Sequence, residues 1–385
     1  MSYKYEELDK RLVSVVPSKR QVEYQQREFY GFIHFTVNTY TNKEWGLGDE
    51  SPEIFNPYDL DAESWVKAAV SAGMQGLILT CKHHDGFCLW PSKYTEHSVK
   101  NSPYKDGKGD IVKELSDACK KYGIKFGVYL SPWDRNCAVY GTGKEYDDFY
   151  INQMTELLTN YGDVYTFWMD GACGEGPNGK KQVYDWERYY AKVRELQPEA
   201  VLSICGPDVR WCGNEAGVVR KSEWSVVSKL MTSPAFTAEL SQKEDNEEFR
   251  KRAIDPTNEE LGSRKVLENE PELAWYPAET DLSIRPGWFY HPEEDDKVRS
   301  LENLKDIYLK SVGGNTALLL NVCPMKNGRF HENDTKRLAE LGDFIRESFK
   351  DNLADKAEIT STPEKGDRGE DISSVRADDY ETYFK

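Results

Sequence analysis

The fold is decided by a short stretch near the middle of the chain, Thr166-Phe167-Trp168-Met169-Asp170-Gly171. Its β-branched and aromatic residues predict a strand that ends on a carboxylate and a glycine. Because side chains alternate across a strand, Trp168 and Asp170 are expected on one face and Phe167 and Met169 on the other. Such a strand end is typical of the catalytic edge of a parallel α/β protein, although a lone aspartate could equally cap the following turn.

The alternation of a buried strand with a helix recurs on both sides of this stretch. Five clear strands are predicted at residues 31–37, 76–80, 125–131, 166–170 and 200–205. The helices between them are predicted at 62–72, 111–122, 146–160 and 184–196. Strands at 222–227, 281–284 and 316–322, with helices at 301–311 and 334–349, continue the pattern. The sequence therefore predicts an α/β protein of the (β/α)8 TIM-like barrel type with enlarged loops.

A doubly wound sheet is the alternative architecture, but no Gly-x-Gly-x-x-Gly follows the first strand, which disfavours a dinucleotide-binding fold. Residues 1–350 are assigned to the barrel, within which the charged segment 236–265 is expected to be an elaborated loop. Residues 351–385 are polar and lack a core pattern. They are expected to be a linker and the incomplete start of a further unit.

Composition excludes several classes of partner. The net charge of −17 disfavours nucleic acid and anionic membranes, which need clustered positive charge. No apolar run approaches the roughly 20 residues of a membrane span. The N-terminal segment lacks the apolar region of a signal peptide, so a cytoplasmic location is the default, although a secreted protein without its leader would look the same. The eight cysteines lack zinc-ribbon or redox spacing and are expected to be mostly buried free thiols.

Residues that could carry chemistry follow the predicted strands. They are His34, His83, His84, Tyr129, Ser131, Asp134, Trp168 and Asp170. A metal hydrolase is one interpretation, but the histidines lack His-x-His or His-x-x-x-His spacing, and adjacent His83 and His84 should point apart on extended backbone. A cysteine or serine nucleophile is a second, but Cys81 and Cys205 fit core thiols better and no Gly-x-Ser-x-Gly occurs.

The third interpretation is glycoside hydrolysis by two carboxyl groups. Aromatic residues make up 12% of the chain and could cover the faces of a sugar ring. Asp170 would need a second acid across the pocket. Glu215, in the loop after the 200–205 strand, and Glu44, in the loop after the first strand, are both candidates. The residues alone do not choose between them.

Several of these stretches together resemble the α-L-fucosidases of glycoside hydrolase family 29. They are Phe32-Ile33-His34-Phe35, Glu44-Trp45-Gly46, Lys82-His83-His84-Asp85-Gly86-Phe87, Tyr129-Leu130-Ser131, Phe167-Trp168-Met169-Asp170-Gly171, Gly213-Asn214-Glu215 and Ser283-Ile284-Arg285-Pro286-Gly287-Trp288-Phe289-Tyr290. The family is similar to a (β/α)8 barrel followed by a β-sandwich, so residues 351–385 would be a truncated start of that sandwich.

The resemblance implies a retaining enzyme acting on fucosylated oligosaccharides or glycoconjugates. The histidine spacing disfavours a metal, and no other cofactor is expected. It implies that Asp170 is the nucleophile. The context of Glu215 resembles the branch that cleaves α-1,3/1,4-linked fucose from Lewis-type glycans, which assigns Glu215 as the acid/base. Fucose contacts are implied for His34, Glu44, Trp45, His83, His84, Tyr129, Trp168 and Trp288.

Three further expectations accompany this assignment. Trp133, Asp134 and Trp211 are candidates for contacts with the neighbouring sugar. Thr36 stands where many relatives have glycine, so the local fit there is open. A broad-specificity fucosidase and a catalytically silent fucose-binding lectin are the alternative functions, and the sequence does not indicate an oligomeric state.

Overall fold

The computed structural model describes residues 4–234, 261–362, 365 and 369–377. By their internal packing the residues divide into two compact units, 1–341 and 342–385. The first unit contains the main sheet and every predicted site residue. No helix in the described ranges is both long and apolar enough to cross a bilayer.

The first unit is organised around one parallel sheet. The strands of the described residues are β1 (Phe29–Ile33), β2 (Gly76–Lys82), β3 (Lys125–Leu130), β4 (Thr166–Met169), β5 (Val201–Ile204), β6 (Arg210–Trp211), β7 (Val226–Ser228), β8 (Leu273–Trp275), β9 (Ala278–Ser283) and β10 (Thr316–Asn321). Eight of them form the sheet in the order β5-β4-β3-β2-β1-β10-β9-β6. A parallel bridge between Ser203 and Val209 nearly closes it. This arrangement confirms the predicted (β/α)8 barrel.

The strands are hydrophobic because both faces are covered. Every residue of β1, β2, β9 and β10 is buried, as expected where side chains fill the barrel interior and helices cover its exterior. One cluster at the centre is rich in aromatic side chains. Its members include Tyr24, Tyr30, Phe32, Tyr129, Trp168 and Ile204. The floor of the pocket at the carboxyl ends of the strands is therefore aromatic.

The helices of the described residues alternate with these strands. They are α1 (Glu6–Ser14), α2 (Lys19–Gln25), α3 (Val37–Thr41), α4 (Ala62–Ala72), α5 (Ile111–Tyr122), α6 (Lys144–Asn160), α7 (Trp186–Leu196), α8 (Arg264–Leu267), α9 (Leu301–Ser311) and α10 (Glu332–Phe349). The predicted bounds of α4, α5 and α9 are confirmed. Local chemistry explains this accuracy for α4: Asp61 accepts hydrogen bonds from the first-turn amides, and Gly73 ends the helix in the left-handed conformation.

The strand predicted at 222–227 differs from the structure in both position and pairing. It is shifted to Val226–Ser228 and pairs antiparallel with β8 in a separate two-stranded sheet. The corresponding barrel strand is β6, which pairs with β9 through Arg210 and Trp211. A two-residue strand beginning with arginine has no hydrophobic pattern. The buried Arg210 guanidinium is tolerated because it donates to Glu223 at 2.8 Å.

The first strand is shorter than predicted. β1 ends at Ile33, so His34 follows the strand end, and α3 begins at Val37. Thr36 is the N-cap of α3, and its hydroxyl also donates to Asp85 at 2.9 Å. The threonine therefore fits by joining the loops after β1 and β2.

In the second unit, the described residues after α10 include two 3-10 helices, Leu353–Lys356 and Ile372–Arg376, and an isolated bridge between Lys365 and Asp371. The start of a β-sandwich over 351–385 stays a prediction. The segment predicted as an elaborated loop, 236–265, lies outside the described residues except for 261–265, where α8 begins.

Candidate active site

One pocket lies at the carboxyl ends of the barrel strands and occupies about 660 Å³ together with the open space at its mouth. All ten residues predicted for the site line it: His34, Glu44, Trp45, His83, His84, Tyr129, Trp168, Asp170, Glu215 and Trp288. They come from strand ends and loops separated by up to 254 positions in the chain. Their convergence follows from the parallel barrel, which brings all its carboxyl ends to one rim.

Asp170 directly follows β4, and 21% of its side chain is exposed. Tyr129 donates to its Oδ2 at 2.9 Å, and the backbone N–H of Ala172 donates to its Oδ1 at 2.8 Å. Both oxygens therefore have a donor, which fixes the orientation of the carboxyl group. Burial and the Asp170 charge together raise the pKa of Tyr129 well above its ordinary value, so the phenol remains a donor.

Glu215 lies in the loop after β6, and hydrogen bonds within this loop fix its backbone. The Asn214 side chain accepts from the N–H groups of Ala216 and Val218 and donates to the Val218 carbonyl. The Glu215 carboxyl accepts from the indole N–H of Trp288 at 3.2 Å. The loop thus presents this carboxyl to the pocket that also contains Asp170.

Two of the three pocket histidines have defined tautomers. The Asn321 Oδ1 accepts from His34 Nδ1 at 2.9 Å. Ser131 Oγ donates to the Trp133 carbonyl and so accepts from His84 Nδ1 at 2.7 Å. In both rings Nε2 is left without a proton and can accept from a ligand hydroxyl.

Burial also keeps these imidazoles neutral. It lowers the pKa of His34 and of His84 to about 4 and that of His83 well below its ordinary value. The Nδ1 atom of His83 is buried and has no hydrogen-bond partner. The pocket can therefore bind several hydroxyl groups without placing positive charge beside them.

Glu44 joins two loops of the rim. Its carboxylate accepts from the backbone N–H groups of Trp288 and Phe289 at 2.8 and 3.2 Å, and His291 Nε2 lies 2.5 Å from Oε1. A Cβ on Gly287 would lie 2.5 Å from the same oxygen, so only glycine fits this approach. Glu44 therefore holds Trp288 in place in addition to facing the pocket.

Sequence reasoning missed three buried residues that organise the site. Glu279, on β9, accepts the indole N–H of Trp168 at 2.7 Å, and Asp281, on the same strand, accepts that of Trp211 at 2.7 Å. His291 supports Glu44. The signal for the first two was available: acids two positions apart on an otherwise buried strand must share one face.

Strain marks one further pocket residue. Ile204 ends β5 with a φ of 71°, in the left-handed region that a β-branched side chain rarely adopts. It lines the pocket beside Asp170. Such a conformation costs on the order of 1–3 kcal/mol and typically persists at functional sites.

Two of the three residues predicted to contact the neighbouring sugar do not line this pocket. Asp134 is buried and accepts from Lys82 Nζ at 2.8 Å, because a fully buried ammonium requires a paired anion. Trp133 packs against Trp45 and His84 instead of lining the pocket. Trp211 does line it. The adjacent His83 and His84 do not point apart either, since their rings lie 4.1 Å apart on backbone that has left β2 for a turn.

Glu279 should make stability pH-dependent. Burial raises its pKa from 4.5 to about 7, against the lowering effect of its bonds to Tyr24 and Trp168. Between pH 4.5 and about pH 7, Glu279 keeps its proton in the native state but loses it in the unfolded chain, so the free energy of unfolding falls as pH rises. In Glu279→Gln the free energy of unfolding should fall less from pH 5 to pH 8 than in the parent, as measured by urea denaturation.

The matched control is the exposed Glu187→Gln, which should follow the parent curve. Burial also raises the pKa of Asp85 to about 7, and this residue adds the same pH dependence of stability to all three proteins. Parallel curves for Glu279→Gln and the parent would contradict the assignment.

Among the described residues, no group of three or more His, Cys, Asp or Glu side chains is arranged to hold a metal ion. All eight cysteines are free and six are buried, which confirms that prediction. The pocket combines four carboxyl groups, neutral imidazoles and four indoles. This combination on a (β/α)8 barrel is typical of proteins that process carbohydrates.

Residues 12–348 match the family described as Alpha-L-fucosidase, and the chain belongs to this family. It is 42% identical over 354 residues to Alpha-L-fucosidase 1 of Arabidopsis thaliana, which covers 92% of this chain and 65% of the relative. A putative alpha-L-fucosidase 1 of Oryza sativa is 42% identical over 356 residues, covering 92% and 63%.

Solved structures agree. A putative alpha-L-fucosidase from Bacteroides ovatus is 53% identical with a TM-score of 0.82, covering 91% of this chain and 59% of that one. A Ruminococcus gnavus fucosidase of glycoside hydrolase family 29, solved with fucose, is 33% identical with a TM-score of 0.79, covering 96% and 76%. The chain thus spans less than two thirds of the length of the two plant relatives and of the Bacteroides protein.

Proposed function

We propose that this chain is a retaining α-L-fucosidase that removes α-1,3/1,4-linked fucose from Lewis-type branched glycans. The observation that carries the proposal is the placement of Asp170 and Glu215 in one pocket with three neutral histidines. Membership of the family supports the activity, and the context of Glu215 supports the linkage.

In the first step, Asp170 attacks the anomeric carbon of fucose as the bond to the leaving oxygen breaks. Tyr129 and the Ala172 amide hold the carboxylate in one orientation for this attack. Glu215, in its protonated form, gives its proton to the leaving oxygen. The product is an ester between fucose and Asp170.

In the second step, Glu215 is ionised and takes a proton from a water molecule, which attacks the anomeric carbon and releases Asp170. Two inversions give overall retention. The N–H of Trp288 donates to the Glu215 carboxyl and holds it in place at this stage.

Recognition of the sugar is assigned to the wall of the pocket. The unprotonated Nε2 atoms of His34 and His84 accept from hydroxyl groups of the sugar, and His83 lines the pocket beside them. Trp288 packs 5.0 Å from the His34 ring and offers an apolar face to the fucose methyl group. Trp211, which lines the pocket with Glu215, offers a flat face to the leaving sugar.

The test compares a Lewis trisaccharide with an α-1,2-linked fucoside. We expect kcat/KM to favour the trisaccharide by about a hundredfold, because a preorganised leaving-group site discriminates at this level. Proton NMR should show α-fucose as the first product. Equal rates on both substrates would instead indicate a broad-specificity fucosidase, first-formed β-fucose would exclude retention, and binding without release would indicate a lectin.

A further inference from the structure

Strand β9 carries a second acid beside the proposed acid/base. The Asp281 side chain is 3% exposed and lines the pocket together with Glu215. Its Oδ1 accepts the indole N–H of Trp211 at 2.7 Å. No step of the mechanism above uses this carboxyl, although a buried acid at a reacting site is costly to keep.

The backbone holds Glu215 next to this strand. Ala216 forms an antiparallel bridge with Leu282, so the residues after Glu215 and Asp281 are paired directly. Gly217 continues the contact, since a Cβ there would lie 3.0 Å from the Leu282 side chain and 3.1 Å from Ile307. The position of Glu215 relative to Asp281 is therefore fixed by the fold.

The groups that face Asp281 are mainly acidic. Burial, then the negative charge of Glu215 and then that of Glu279 raise its pKa well above the ordinary value, and the bond from Trp211 lowers it. Its own charge in turn acts on Cys212 and Tyr24, raising the pKa of each. Because repulsion between two carboxylates is mutual, ionised Asp281 also disfavours ionised Glu215.

We propose that Asp281 is a positioning residue for the acid/base: it anchors Trp211 against the pocket and shares one titrating proton with Glu215. This inference rests on the proposed function of Glu215. Two carboxylates at one site repel each other, so the pair retains a proton at a pH where two independent carboxyl groups would both be ionised, and this proton stays at the site for the leaving oxygen. Asp281 itself does not contact the reacting atoms.

Two variants that should shift the pKa of the pair in opposite directions separate this role from a merely structural one. Asp281→Asn keeps an oxygen acceptor for Trp211 but removes the charge, so the last proton of the pair is lost at lower pH. Trp211→Phe removes the donor that stabilises ionised Asp281, so that proton is lost at higher pH. The alkaline limb of kcat/KM should therefore move down in Asp281→Asn and up in Trp211→Phe.

The pH profiles of kcat/KM are measured on two substrates. The methanol released from methyl α-L-fucoside needs a proton to leave, whereas the 4-nitrophenolate released from 4-nitrophenyl α-L-fucoside does not. On the methyl fucoside, Asp281→Asn should lose about tenfold more kcat/KM than the parent above the pH optimum. The aryl fucoside should show little of this loss. Alkaline limbs that coincide in the three proteins would overturn the proposal.

A second measurement needs no turnover. Infrared difference spectra at pH 7 between the parent and Asp281→Asn should show one protonated carboxyl band that is missing from the variant. Its presence in both proteins would also overturn the inference. Failure of the proposed function is a separate result, in which the parent releases no fucose from the aryl fucoside while the infrared experiment still decides the state of Asp281.

Discussion

Asp170→Asn should reduce kcat/KM on every fucoside by at least about a thousandfold, because an amide cannot form the ester on which both steps depend. The fold should be unaffected, since the amide oxygen can still accept from the Ala172 N–H, and the Tyr129 hydroxyl can turn to accept from the amide NH2. The measurements are fucose release by the purified variant and its thermal melting curve beside that of the parent.

The matched control is Asp163→Asn, which removes an exposed carboxyl just before β4 and far along the strand from the pocket. It should keep the activity of the parent. A folded Asp170→Asn variant with ordinary turnover would remove Asp170 from the mechanism.

Glu215→Ala should show a loss that depends on the leaving group. On a Lewis trisaccharide, kcat/KM should fall by about 10²–10⁴-fold, the usual contribution of a general acid. On an aryl fucoside the first step should be nearly unaffected, and slow hydrolysis of the ester should become limiting. The comparison of kcat/KM with kcat on the two substrates separates these effects.

Azide then tells the two carboxyl groups apart. In Glu215→Ala, azide should replace the activated water, speed the second step and give α-fucosyl azide by two inversions. In Asp170→Gly, azide should replace the nucleophile and give β-fucosyl azide by a single inversion. The reverse stereochemistry would exchange the roles of Glu215 and Asp170, and the lack of any azide product would contradict both.

Much of this site could be predicted because its signals are local. Each strand-end residue, such as Asp170 after Phe167-Trp168-Met169, follows a continuous hydrophobic run. A parallel barrel brings such ends together whatever the loops do. Glu215 was harder, since it lies in a loop after a strand of two residues, and only the surrounding Gly-Asn-Glu motif indicated it.

The remainder depends on contacts that are distant in the chain. The sequence could not show that the carboxylate of Asp134 would pair with Lys82, whereas that of Asp170 would face the pocket. β6 was missed because its strand character comes from pairing with β9, while its own residues lack a pattern. Asp281 was placed on a strand but not at the site, because its contact with Trp211 exists only after the barrel closes.

The most direct test is to trap the ester. A 2-deoxy-2-fluoro-fucosyl fluoride forms the ester in the first step, and its fluorine at C2 slows the hydrolysis of that ester in the second step. The labelled protein can then be digested and the modified residue identified by mass spectrometry. We expect one 2-deoxy-2-fluoro-fucosyl group per chain, attached to Asp170 in the parent and absent from Asp170→Asn. A label on Glu44, Glu215 or Asp281, or inactivation without any covalent adduct, would contradict it.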